Sequence, residues 1–147
     1  MMNCFVTIHP DVQKNFDPIV LEKLAKSLVY FANSGFSDFP HIFGSYGGFE
    51  RNPKAVQAQI YKIHIALTEQ DLISKFWRYK YKPNRRQSDN FLVFNSHWAY
   101  PNLFQIIDII SPNAHKRADK LLPMLIDRAE TFHDFEIKEL EKLKWFK

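Results

Sequence analysis

Residues 103–110 read LFQIIDII, and SPNAHKRADK follows directly in residues 111–120. Six of the first eight residues are apolar. That density marks a strand in the middle of a sheet, covered on both faces. Ser111-Pro112 then reads as the start of a helix, because proline is tolerated at the first helical position. The opening turns of that helix carry His115, Lys116, Arg117 and Lys120. The chain therefore passes straight from a central strand to a basic helix start. The N–H groups of such a start favour anions, so the stretch is either a solvated surface or a place where negative charge is handled.

Working outward, NFLVF (residues 90–94) is a second strand, joined to the first through SHWAYPN as a hairpin loop. VQAQIYKIHIAL (residues 56–67) alternates from Ile60 onward and reads as a third. CFVTI (residues 4–8) is a short fourth. Asp17-Pro18 is an N-cap with proline behind it, and Val20, Leu21, Leu24, Leu28 and Phe31 recur at helical spacing. Ser34-Gly35 closes that helix. Residues 36–53, FSDFPHIFGSYGGFERNP, read as irregular loop. Beyond Pro112 the pattern is helical, with a break expected near Leu121-Leu122 because Pro123 fits poorly inside a helix. A second helix then buries Leu122, Leu125, Ala129 and Phe132. From Asp134 the two charge signs mix evenly, as on a solvated helix. Strands that follow one another through short connections pair antiparallel. The predicted fold class is α+β: a small antiparallel sheet with an N-terminal helix and C-terminal helices packed on it. Residues 1–147 form a single domain, with 134–147 as a helical extension.

Composition excludes several function classes. Of the 147 residues, 46% are apolar and 16% aromatic, too many for a disordered chain. The net charge of +4 permits an anionic partner. The single cysteine, Cys4, excludes an intrachain disulfide. The N-terminus lacks a basic stretch followed by a long apolar one, and no apolar run approaches the roughly 20 residues that span a bilayer. A cytoplasmic protein with no membrane partner is expected.

Several constellations could carry chemistry. KFWRYKYKPNRR (residues 75–86) holds Lys75, Arg78, Lys80, Lys82, Arg85 and Arg86 with no acidic residue. Phe76, Trp77, Tyr79 and Tyr81 are interleaved with them. Cations for phosphates and flat rings for bases suit single-stranded nucleic acid. An edge strand kept soluble by lysines, its aromatics in the core, fits the composition equally. In RQSD (residues 86–89), Arg86 and Asp89 either orient each other at a sheet edge, or Asp89 bonds its local backbone in a turn. His64 alternates with Ile63 and Ile65, so it shares a face with Lys62, and that face is open if the isoleucines fill the core. His115 falls in a first helical turn. His9, His41, His97 and His133 show no partner pattern. The sequence has no HExxH, no CxxC and no close histidine pair, and neither a glycine-rich phosphate loop nor a GxSxG elbow. No metal and no cofactor is predicted.

These residues meet a known pattern. IIDIISPNAHKRADKLLPMLIDRAETF (residues 106–132) resembles the C-terminal signature of the YafO family of bacterial type II toxins, an apolar strand, a Pro-x-(Ala/Pro)-His-Lys turn and a basic helix ending in Ala-Glu-x-Phe. Pro112, His115, Lys116, Ala129, Glu130 and Phe132 fill it. Upstream, IFG (residues 42–44), KIHIAL (62–67) and RQSDNFLVF (86–94) resemble the family's loop motif, its His-apolar-Ala strand and its Arg-x-(Asn/Ser)-Asp segment. The basic-aromatic run is heavier here, and the charged tail is an addition.

The resemblance implies a fold akin to the RelE-type toxins, with helices on one side of the sheet. It also implies a cognate antitoxin and a ribosome-dependent mRNA endonuclease that arrests translation. Without a metal set, cleavage is expected to run through the RNA's own 2′-OH, leaving a 2′,3′-cyclic phosphate and a 5′-OH. That reaction needs proton transfer and cations on the phosphorane. His115 is the acid/base candidate, because its ordinary pKa lies near working pH, and His64 is the second. Arg86 and Lys116 are candidates for transition-state charge, and Asp89 for orienting Arg86 or a histidine. Lys75, Trp77, Arg78, Lys80, Lys82, Arg85, Arg117 and Lys120 are expected to grip RNA. A RelE-like toxin that binds and cuts nothing remains the alternative, since fold does not fix function.

Overall fold

The structure, a computed structural model, describes residues 3–79 and 81–147. Strand β1 (Phe5–Ile8) leads through helix α1 (Pro10–Asn15) into α2 (Pro18–Asn33). Then come β2 (Phe43–Gly48), α3 (Pro53–Gln57), β3 (Ile60–Ile65) and α4 (Glu69–Ile73). Two 3₁₀ turns, Lys75–Trp77 and Pro83–Arg85, precede the hairpin of β4 (Phe91–Ser96) and β5 (Leu103–Ile110). Helices α5 (Ala114–Asp134) and α6 (Ile137–Glu141) follow.

The strands form one sheet in the order β1-β5-β4-β3-β2. From β2 to β5 the neighbours are antiparallel; only β4 and β5 are joined by a short hairpin loop, and α4 with both 3₁₀ turns lies between β3 and β4. β1 pairs parallel with β5, Val6 beside Phe104. The sheet is therefore mixed where an antiparallel one was expected. The short-connection rule says nothing about β1, which reaches its partner across most of the chain.

Helices cover both faces, not one. Alternation along the strands sends Ile63, Ile65, Leu92 and Phe94 to one side, where they pack with Leu24, Leu28 and Phe31 of α2. Phe91, Val93, Ile107 and Ile110 go to the other, against Ala114, Ala118, Leu125 and Ala129 of α5. β5 is thus buried on both faces, as LFQIIDII requires. The face opposite Ile63 and Ile65, expected to be open, lies under α5.

Three further expectations change. β2 lies within the segment read as loop. Its glycine-rich sequence carries no alternation, and it is a strand only because it pairs with β3, with a register shift between Phe43 and Tyr46. Gly44 sits at that irregularity, where a Cβ would lie 2.6 Å from the Arg86 carbonyl oxygen. Helix α5 runs unbroken through Pro123. Ala118 and Leu122 before the proline, and Leu125, Ile126 and Ala129 after it, pack into one core. Their burial offsets the roughly 3 kcal/mol cost of an interior proline. Finally, the basic run is no edge strand. It forms the two 3₁₀ turns, tied to β2 where the Ser45 N–H donates to the Arg86 carbonyl at 2.8 Å.

Candidate active site

Helix α5 starts without a cap of its own. Asn113 has left-handed backbone (φ 60°), and its side chain caps nothing. The free first-turn N–H groups are met from the approach to β4. Ala114 N–H donates to the Asp89 carbonyl at 3.0 Å, and His115 N–H to Asp89 Oδ1 at 3.0 Å. The same Oδ1 lies 2.8 Å from His115 Nδ1. One carboxylate therefore caps the helix and holds the histidine ring. The His115 backbone N–H is the main cause holding the Asp89 carboxyl below its ordinary range; the His115 ring and the Lys116 charge add to it. An ionised Asp89 accepts the Nδ1 hydrogen, so Nε2 of the neutral ring keeps its lone pair. The two side chains are 56% and 51% exposed, which leaves the pair open to a ligand. Asp89 orients a histidine rather than Arg86.

Beneath this pair lies His64, only 7% exposed. Its ring centroid is 5.2 Å from that of His115, and Phe91 packs on both at 4.8 and 4.9 Å. Its Nδ1 meets the Ser88 backbone, 3.0 Å from the N–H and 2.9 Å from the carbonyl. Burial lowers its pKa to about 4, further depressed by the His115 and Lys62 charges and only partly opposed by the Ser88 carbonyl. His64 is therefore neutral at pH 7. It acts as the wedge that fixes the His115 ring.

His115 stands on a ridge between two depressions. One is lined by Lys62, Phe91, Arg51, Glu50 and Asp119 among others. The Lys62 ammonium lies 5.0 Å over the Phe91 ring and 4.8 Å over Phe49. The second is lined by Asp71, Ser74, Phe76, Gln87, Ser88 and Asp89. A half-buried polar chain ties the start of β4 to the end of β5 and to α4. Ser111 Oγ donates to Asn90 Oδ1 at 2.6 Å, and Asn90 Nδ2 to Asp71 Oδ2 at 3.3 Å.

The remaining candidates divide. Lys116 and Lys120 are exposed on α5. Arg117 folds back, its Nη1 donating to the Ser111 and Pro112 carbonyls. Lys75, Arg78, Lys82 and Arg85 are exposed. The Lys75 ammonium lies 5.2 Å from the Phe76 ring centroid, and Arg78 Nε donates to the Ile73 carbonyl. Lys80 lies outside the described residues. Two further candidates bond to backbone carbonyls of the fold. Trp77, 5% exposed, donates its indole N–H to the His41 carbonyl at 2.9 Å and cannot stack on a base from there. Arg86 turns its guanidinium to the loop before β2, Nη1 donating to the Phe43 carbonyl at 3.1 Å and to the Pro40 and His41 carbonyls at longer range. Its Nε is buried without a partner, and burial lowers its pKa. Arg86 thus secures β2, and the IFG glycine gives it room. Reading the sequence missed Lys62 as a cation of the site, although its shared face with His64 was the available signal. It also missed Ser88, whose backbone contacts no side-chain pattern announces.

No curated protein and no solved structure matches the chain. A family model described as "Toxin YafO, type II toxin-antitoxin system" matches residues 29–134. That span contains every residue of the site described above, and the chain belongs to the YafO family of type II toxins.

Proposed function

We propose that this toxin is a ribosome-dependent endoribonuclease that cuts mRNA and so blocks translation. The observation that carries the reading is the Asp89–His115 pair at the exposed start of α5. A carboxylate on Nδ1 sets the tautomer and leaves Nε2 as a general base, an arrangement used to activate a hydroxyl. In the proposed step His115 Nε2 takes the proton of a ribose 2′-OH, and the 2′ oxygen forms a bond to the adjacent phosphorus. The bond from phosphorus to the 5′ oxygen breaks, and that oxygen takes a proton from water or from the Lys116 ammonium. The products are a 2′,3′-cyclic phosphate and a 5′-OH, and the step needs no metal ion. The charge on the phosphorane falls to Lys116 and Lys62, the second of which lines the depression beside His115. Arg86 is engaged with carbonyl groups and has no part in it.

Two further observations support dependence on the ribosome. The pair sits on a ridge and not in an enclosed pocket, so the chain alone offers little to hold the RNA in an attacking pose. The exposed cations Lys75, Arg78, Lys82 and Arg85 lie on one connection, suited to ribosomal RNA or mRNA phosphates. A cognate antitoxin is the other partner that a type II toxin requires.

The test is a translation extract with mRNA ends mapped by primer extension. New ends that need both ribosomes and the toxin are expected. Arrest with intact mRNA would make the protein a binder, and cutting of naked RNA a free ribonuclease.

A further inference from the structure

The depression on the Asp89 side of His115 is more than a gap between loops. Its cavity of about 310 Å³ is at the lower end of the range for small-molecule sites, roughly 300–1,000 Å³. Phe76 lines it and is 55% exposed, although its neighbour Trp77 is buried. The adjacent Lys75 ammonium lies 5.2 Å from the Phe76 centroid, so a cation and a flat ring are offered together. The backbone that carries the ring is held in place: Phe76 N–H donates to Ser74 Oγ at 3.2 Å, and its carbonyl accepts from Gln87 N–H at 2.9 Å.

The polar groups of the wall are mostly spent on the fold. Asp71 Oδ2 accepts from the Leu67 and Thr68 N–H groups, and Ser88 Oγ donates to the Ile65 carbonyl. Gln87 is different, since its side chain is exposed and belongs to the wall. An amide offers a donor and an acceptor together, the combination that reads a base edge.

We infer that this depression is a nucleobase subsite, in which Phe76 stacks on the base next to the scissile phosphate and Gln87 reads its edge. The inference rests on the nuclease reading above and gives it a source of sequence preference. RNA is recognised in this way where its bases are unpaired: the base stacks on an aromatic ring while side chains reach its edges. A stacked base next to His115 also orients the attacking 2′-OH.

Cleavage sites and rates in the translation extract decide it, using wild type, Phe76→Ala, Phe76→Trp and Gln87→Ala. Phe76→Ala is expected to cut roughly ten-fold slower, the loss of one stacked base, and Phe76→Trp to restore the rate. Gln87→Ala is expected to change the distribution of ends, which spread over bases that wild type avoids. Thermal unfolding of each variant checks that the fold survives. If wild type cuts and both alanine variants match it in rate and end distribution, the subsite is overturned and the nuclease stands. If wild type itself makes no ends, the nuclease reading fails and the subsite fails with it.

Discussion

A pair of histidine rings meets at each end of helix α5, one ring from the helix and one from the sheet side. At its start His64 and His115 lie 5.2 Å apart, and at its finish His97 and His133 lie 5.9 Å apart. In the second pair every ring nitrogen meets backbone. His133 Nδ1 accepts the Trp98 N–H at 3.1 Å while Nε2–H donates to the Ala58 carbonyl at 2.7 Å. His97 Nδ1 accepts from the Ala99 and Tyr100 N–H groups, and its Nε2–H donates to the Phe135 carbonyl. These rings are rivets between the β4–β5 loop and the end of α5, with no lone pair to offer. In the first pair the buried ring is the rivet, and the exposed one has a carboxylate on one nitrogen and solvent on the other. What separates structure from chemistry is thus the partner of each nitrogen, not the presence of histidine.

The largest predicted effect breaks the first pair at its exposed member. His115→Ala removes the proposed general base, a role worth 10²–10⁴-fold in rate. The ring is more than half exposed and the backbone N–H that Asp89 caps is kept, so the urea midpoint should stay near that of wild type. Primer-extension rates check it, and cutting at the wild-type rate would remove His115 from the mechanism.

The buried member should declare itself through pH. The pKa of His64 is lowered from 6.5 to about 4, so between those values the unfolded chain binds the proton and the folded one does not. Stability is then fully present above about pH 6.5 and is lost as pH falls toward 4, by on the order of 3 kcal/mol. His64→Phe removes that proton, so its urea stability should fall less steeply over pH 6.5 to 4.5 than that of wild type. His9 and His97, also lowered by burial, leave slopes that both proteins share. Equal slopes would show that His64 does not enter the fold neutral.

His133→Ala carries the comparison to the other end of the helix. It leaves the part-buried Ala58 carbonyl without its partner, at a cost of about 1 kcal/mol. Cleavage per folded molecule should be unchanged. A loss of activity without a loss of stability would refute the division between the two ends.

Much of this architecture is legible in the sequence alone. LFQIIDII announced a strand covered on both faces, and Asp17-Pro18 with Ser34-Gly35 bounded α2 correctly, because caps and dense apolar runs are local signals. β2 was not legible, since FGSYGG has no alternation and owes its conformation to β3. The parallel placement of β1 is a long-range choice that leaves no local mark. Of the site, His115 stood out by its position in a first helical turn. The partner of Asp89 did not, because residues 26 positions apart meet only once β4 and β5 bring the end of the hairpin to α5. Arg86 misled for a related reason: a cation in a motif looks available until Pro40, His41 and Phe43 are seen to claim it.

The smallest predicted effect is the most discriminating, because Asp89 serves the helix and the histidine through one oxygen. Asparagine caps helices about as well as aspartate, so Asp89→Asn should keep most of the stability that Asp89→Ala loses, about 1 kcal/mol. The neutral amide gives up the charge that steadies a protonated His115, and cleavage should fall roughly ten-fold in both variants, about 1.4 kcal/mol on the barrier. Acid unfolding gives a second measure. The Asp89 carboxyl is held below its ordinary range, so its contribution is present above about pH 4 and disappears as pH falls through its folded value. Wild type should therefore lose an increment of stability there that Asp89→Asn lacks. If Asp89→Asn cuts as fast as wild type, the carboxylate is only a cap, and the start of α5 is as structural as its finish.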